Sequence, residues 1–243
     1  MEEFSHGAPP SEKRWEITGV GAFYASPVIS SDESTVYFLN TSQGKIWAVN
    51  TEDGTEKWES PVGLDAGVHG SSLSMDTDGT IYFTTKTHVV AISDEGGTGS
   101  VKWQTAVNDA SNSGVVIGPE GDLYVGSIGG LLALDPSSGE IKWTFEAEIA
   151  ESVPAVDVNG YIYVGATNGN FFVVNPEGEQ IKSWTLGDSV VNSPTITENG
   201  TVYVEATEML QIKLYKIVVE NSGPAVSPWP MKGQNVKNTG VAQ

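Results

Sequence analysis

Short apolar runs alternate with polar, glycine-bearing turns from one end of the chain to the other. One stretch reads as four strands in succession. Ser152-Val-Pro-Ala-Val156 is a short first strand running into Asn159-Gly160, a strong hairpin signal. Tyr161-Ile-Tyr-Val-Gly-Ala166 is the second strand, and Asn168-Gly169 makes the next turn. Asn170-Phe-Phe-Val-Val174 is the third, followed by Asn175-Pro-Glu-Gly178 and a fourth strand, Gln180-Ile-Lys-Ser-Trp-Thr185. The same punctuation recurs elsewhere: Asp76-Thr-Asp-Gly79, Pro119-Glu-Gly121 and Glu198-Asn-Gly200 at the first turn, Asn50-Thr-Glu-Asp-Gly54 and Asp135-Pro-Ser-Ser-Gly139 at the third. No segment carries a 3.6-residue apolar stripe long enough to compete. The pattern is all-β.

Two markers give the period. The central tyrosines of the second strands, Tyr37, Tyr82, Tyr124, Tyr163 and Tyr203, are 45, 42, 39 and 40 residues apart. The tryptophans Trp15, Trp58, Trp103, Trp143, Trp184 and Trp229 are separated by 43, 45, 40, 41 and 45. A repeat of this length is one four-stranded propeller blade. Five first, second and third strands are present, but only four fourth strands follow them. Glu12-Lys-Arg-Trp-Glu-Ile17 has the fourth-strand pattern at the front of the chain, so it is expected to complete the fifth blade and close the ring. The count favours a single five-bladed propeller over residues 12–220, with an arc of a larger ring as the rival. Residues 1–11 would lead into it. Trp229 also falls in register, but Pro228 and Pro230 flank it and cannot donate to a ladder. Residues 221–243 are therefore expected as an outer edge or cap.

Charge narrows the partners. The 243 residues hold 31 Asp+Glu against 12 Lys+Arg, a formal net charge of −19. Nucleic acid and anionic membranes, which bind through basic groups, are poor partners. No apolar run reaches the roughly 18 residues of a membrane span. Cysteine is absent, which removes disulfides and thiolate metal sites. Met1-Glu-Glu-Phe4 lacks the basic and apolar regions of a signal peptide. A chain this acidic would be disordered if it were poor in aromatics, but Trp, Tyr and Phe (7, 8 and 7) run throughout.

The units resemble the pyrroloquinoline-quinone-like repeat propellers. The resemblance rests on a Ser-Pro first strand, then Gly121-Asp-Leu-Tyr-Val-Gly126, then Gly130-Leu-Leu-Ala-Leu-Asp-Pro-Ser-Ser-Gly139, then Trp143. It covers about residues 12 to 220, and the segment from Ser227-Pro-Trp-Pro-Met231 through Asn238-Thr-Gly240 looks like one that flanks such repeats in exported bacterial proteins. The resemblance implies two kinds of relative. Quinone-dependent dehydrogenases have eight blades, a vicinal disulfide and a calcium beside a catalytic aspartate. Binding scaffolds include the eight-bladed outer-membrane assembly lipoprotein. Neither the disulfide nor the calcium ligands can be placed here, so no cofactor is expected.

The candidate residues follow from geometry. The repeated tryptophans are expected as core, since each would bury 150–250 Å², worth up to roughly 4–6 kcal/mol. Asp76-Thr-Asp-Gly79 has the opening spacing of a calcium loop without its remaining ligands, and reads as a turn. His6 and His88 match no metal or nucleophile pattern, and no metal site is expected. In propellers, ligands sit over the central channel on the loops leading into the innermost strands, and those loops are the most variable part of each unit. They would bring Phe23, Tyr24, His69, Asn112, Glu151 and Asn192 to one mouth. Aromatic, amide and carboxylate groups together suit a peptide or sugar and spell out no reaction. The expectation is a non-catalytic binding or scaffold propeller, monomeric, periplasmic or secreted, with a protein or carbohydrate ligand. A polysaccharide hydrolase or lyase using carboxylates at the mouth is the alternative.

Overall fold

The structure, a computed structural model, describes residues 15–18, 26–40, 45–60, 72–110, 112–149, 151–219 and 223–232. Its strands fall into five antiparallel sheets, each in chain order. The first holds β1 (Val28–Ile29), β2 (Thr35–Asn40), β3 (Lys45–Asn50) and β4 (Glu56–Glu59). The second holds β5 (Ser74–Met75), β6 (Ile81–Thr84), β7 (His88–Asp94) and β8 (Gly99–Ala106). The third runs β9 (Val115–Ile117), β10 (Leu123–Ser127), β11 (Gly130–Leu134) and β12 (Ile141–Phe145). The fourth runs β13 (Ala155–Val156), β14 (Ile162–Gly165), β15 (Asn170–Val174) and β16 (Gln180–Thr185). The fifth has three strands, β17 (Thr195–Ile196), β18 (Thr201–Glu208) and β19 (Gln211–Val218). No helix among the described residues is long and apolar enough to cross a membrane. This is a β-propeller, as the repeat predicts.

Burial explains the residue choice in each strand. β10 and β11 are buried at every position, because a sheet covers each face, and they read as nearly unbroken apolar runs. The outermost strands β12 and β16 are mostly exposed and alternate with lysine and serine. Consecutive sheets touch along their inner strands: the second strand β6 meets the innermost β9, and the innermost strands β9, β13 and β17 meet in turn.

Tyrosine and tryptophan lock the sheets internally. In the first three, the second-strand tyrosine lies opposite a third-strand alanine, which lies opposite the fourth-strand tryptophan. The small alanine lets the two rings meet across it at 5.8–5.9 Å between centroids. Burial pushes the Tyr124 phenol up to about 12, and raises those of Tyr37 and Tyr82 further. In the fourth sheet the tryptophan comes two residues later, and Lys182 stands opposite the third-strand Val173. Trp184 therefore stacks on Phe171 and carries Lys182 over its ring.

The tryptophans also join one sheet to the next. Trp103 Nε1 donates to the Pro136 carbonyl and Trp143 Nε1 to the Pro176 carbonyl, each at 2.8 Å. The rings lie over Gly139 and Gly178, where φ is 74° and 87°. A Cβ at Gly178 would stand 2.7 Å from the Trp143 ring, so glycine is required both by conformation and by space. The Trp58 ring lies over Gly99, where a Cβ would stand 2.4 Å from it, so there space alone requires glycine. Trp15 completes the series on the first sheet: its ring covers Gly54 and its Nε1 donates to the Thr51 carbonyl at 3.0 Å. Residues 12–14 of the expected closing strand lie outside the described residues, and residues 15–18 carry no strand pairing. Trp15 thus occupies the fourth-strand seat on the first sheet, while the fifth sheet shows three strands.

Of the two places expected for the C-terminal segment, edge or cap, its described part takes the second: it lies over the ends of inner strands and not along an outer edge. Trp229 is 2% exposed and belongs to the same buried cluster as the inner residues Val28, Leu73, Met75, Val115 and Ile117. Residues 223–225 pair antiparallel with the end of β13, through a bridge of Pro224 to Asp157 and a bond from Ala225 N to the Val156 carbonyl at 2.9 Å. Further along, Ile117 N donates to the Trp229 carbonyl at 2.7 Å and Val156 N to the Pro230 carbonyl at 2.9 Å. The prolines are no obstacle, because at these positions the segment supplies acceptors. It satisfies the free amides at the ends of β9 and β13.

Candidate functional site

The mouth is built on a belt of serines. Each inner strand is preceded by a serine: Ser26, Ser72, Ser113, Ser152 and Ser193. Ser113 and Ser152 are fully buried. The Ser113 hydroxyl accepts from Gly126 N at 3.2 Å, and that of Ser152 from Gly165 N at 3.3 Å, tying each loop to its own second strand. Ser113 Oγ also donates to the Ser152 carbonyl, and Ser152 Oγ to the Asn192 carbonyl, both at 3.4 Å. Val153 N donates to Ser193 Oγ at 3.2 Å. The third, fourth and fifth sheets are therefore stitched together directly beneath their loops. Gly126 is glycine because the next loop passes over it: a Cβ there would lie 2.8 Å from the Ile149 and Ser152 carbonyl oxygens.

Above this belt stand three of the sequence candidates. Asn112, Glu151 and Asn192 precede β9, β13 and β17 respectively, and all three are exposed. They occupy one end of the inner strands; the C-terminal segment covers the other, at Ile117 and Val156. Phe23, Tyr24 and His69 lie outside the described residues. The structure thus brings together an amide, a carboxylate and an amide on adjacent sheets.

Two clefts border the mouth. One of about 370 Å³ is lined by Asn192, Ser193, Tyr203, Glu205, Leu214 and Lys232, and Asn192 Nδ2 donates to Glu205 Oε2 across it at 2.8 Å. The other, about 320 Å³, lies between the second and third sheets, with Asn108, Ser127, Gly129 and Thr144. Sequence reading missed Tyr203, Glu205 and Lys232. Tyr203 belongs to the tyrosine series that marks the second strands, and no local signal separates it from its buried counterparts. Elsewhere the polar residues serve turns. Asp76 accepts from Thr77 N, and Asp78 accepts from Thr80 N while pairing with Lys102. Hydroxyl and amide donors from Ser137 and Ser138 hold Asp135 down at about 2. Among the described residues, no group of three or more His, Asp or Glu is placed to hold a metal.

Fold and mouth together define a repeat propeller whose described entry loops differ in sequence above a repeated row of serines. The family model described as outer membrane protein assembly factor BamB matches residues 7–118, 85–157 and 128–217. The chain belongs to this family of PQQ-like-repeat propellers. It is 27% identical over 200 residues to the serine/threonine-protein kinase AfsK of Streptomyces griseus, covering 77% of this chain and 24% of the kinase. It is 28% identical over 209 residues to outer membrane protein assembly factor BamB of Moranella endobia, covering 77% of this chain and 50% of that protein. The crystal structure of BamB from Moraxella catarrhalis superposes with a TM-score of 0.62 at 17% identity, over 80% of this chain and 61% of the other. The chain spans a quarter to a half of the length of these two sequence relatives.

Proposed function

We propose that this chain is a non-catalytic binding propeller, a scaffold that recognises a protein segment at the mouth formed by the loops leading into β9, β13 and β17. One observation carries the reading: the loops that end in the exposed Asn112, Glu151 and Asn192 differ in sequence from sheet to sheet, while the serine belt that holds them is repeated. Identical loops would make a symmetric rim; different ones on a fixed frame make an asymmetric surface, which recognition of a particular ligand requires. A carboxylate between two amides suits the backbone and basic side chains of a peptide. The kinship to an assembly factor supports a protein ligand and a place outside the cytoplasm.

The test is a peptide panel and a glycan array run on the parent and on an Asn112→Ala/Glu151→Ala/Asn192→Ala variant. A peptide ligand whose affinity falls at least about tenfold, some 1.4 kcal/mol, in the variant is the expected result. A ligand bound equally by both proteins places the site elsewhere. Turnover of a glycan on the array would contradict the non-catalytic assignment.

A further inference from the structure

The fifth sheet is one strand short, and this changes the standing of its third strand. β3, β7, β11 and β15 are third strands with a fourth beside them, and none of their residues is exposed. β19 is third in its sheet and also last, and six of its eight residues are exposed. Among the described residues no strand lies along its outer edge. An edge left to water is normally guarded by proline, a bulge or a row of charges. β19 contains no proline, and its register with β18 runs unbroken from Glu208 opposite Gln211 to Thr201 opposite Val218. Of its two lysines, Lys213 is neutralised by Glu208.

The open face has a definite chemistry. Tyr203 with Lys216, Glu205 with Leu214, Thr207 with Ile212 and Thr201 with Val218 share it. Ile212, Leu214 and Val218 are 72%, 66% and 66% exposed, and Tyr203 is 36% exposed where Tyr37, Tyr82, Tyr124 and Tyr163 reach at most 3%. In the first three sheets the residue between the second-strand tyrosine and the fourth-strand tryptophan is Ala48, Ala91 or Ala133. Here it is Lys216. Lys232 lines the cleft beside Tyr203 and Leu214. Lys45, Lys102, Lys142 and Lys213 each have a carboxylate partner, but among the described residues Lys216 and Lys232 have none. Glu205, the one acid on this face, is held by Asn192. The edge is apolar, and its unpaired charge is positive.

We propose that the outer edge of β19 is a strand-addition site, where an extended segment of a partner protein pairs as the missing fourth strand. Backbone hydrogen bonds supply affinity in such a site, and alternate side chains supply selectivity. Every second residue of the segment faces the open side. Those opposite Val218, Lys216 and Leu214 are apolar, acidic and apolar in turn. The carboxylate takes the place that tryptophan holds in the first three sheets, and pairs with Lys216 across the strands. The screening length is about 8 Å at physiological salt, so the nearest charges decide the contact rather than the net charge of −19. A second copy fits less well, because its own β19 brings lysines and no carboxylate. The site is separate from the mouth and does not depend on the reading given to it.

Fluorescence anisotropy with two labelled, capped nonapeptides tests this on the full chain. One is Thr-Val-Thr-Glu-Thr-Val-Thr-Val-Thr, and the other has lysine in place of the glutamate. The parent should bind the glutamate peptide at least about tenfold more tightly, and Lys216→Glu should reverse the preference. Leu214→Asn should weaken both peptides, with Ile212→Asn as a second variant and melting curves to check folding. Of two glutamate peptides N-methylated on alternate amides, in opposite phase, only one should lose binding, because alternate amides point to one neighbour. The Asn112→Ala/Glu151→Ala/Asn192→Ala variant should bind as the parent does, which separates this site from the mouth. No binding of either peptide up to about 1 mM, or a preference that Lys216→Glu leaves unchanged, overturns the proposal. So does Leu214→Asn binding like the parent, or loss of binding in the mouth variant. Self-association of the parent in sedimentation velocity that Leu214→Asn abolishes would give the edge to a second copy, and also overturns it.

Discussion

At the scale of single residues, a tryptophan does its work through a ring seated on a glycine and an indole N–H that finds a carbonyl. Trp103 has both, whereas Trp58 has the ring contact with Gly99 but its Nε1 has no acceptor among the described residues. The difference arises in the turn. Asp135-Pro-Ser-Ser-Gly139 offers the Pro136 carbonyl, while the longer Asp94-Glu-Gly-Gly-Thr-Gly99 does not place one beneath Trp58. Trp103→Phe should therefore cost about 1 kcal/mol more than Trp58→Phe, the worth of one hydrogen bond. Chemical denaturation of the two variants measures this, and equal losses would remove the hydrogen bond from the account. The seats were legible in the sequence because tryptophan and glycine recur together at one period. The serine belt was half legible: Ser-Pro stood out as a motif, but nothing local revealed that Ser113 and Ser152 reach across to the next sheet.

At the scale of elements, the four-strand unit could be read directly, since each turn is marked by glycine and each strand by an apolar run. The C-terminal segment could not. Trp229 falls on the repeat period, yet spacing along the chain does not distinguish the inside of a ring from its outside. The flanking prolines argued against ladder donors, and the inner strands needed acceptors instead. Trp229→Ala should lower stability by about 3–5 kcal/mol, as for a buried aromatic. Removing residues 223–243 should do the same and also expose the amides of Ile117 and Val156. Thermal unfolding checks both; a truncated chain that melts like the parent would show that the segment only rests on the surface.

At the scale of the molecule, the period of 39 to 45 residues fixed the architecture, while the state of the fifth sheet depended on what lies beside it. Tyr203 and Tyr163 have the same sequence context, yet among the described residues only Tyr163 is buried, against the fifth sheet. The candidate mouth was legible to the extent that variable loops can be located: Asn112, Glu151 and Asn192 stand together above the serine belt, but the cleft of Tyr203, Glu205 and Lys232 beside them came only with the fold. Ligand recognition is assigned to this end of the inner strands, opposite the C-terminal segment. Amide hydrogen exchange, with and without a saturating peptide selected from the panel, tests that assignment. Protection concentrated at residues 112–114, 148–153 and 188–193 is the predicted result; protection confined to residues 223–232, or to β19, would contradict it.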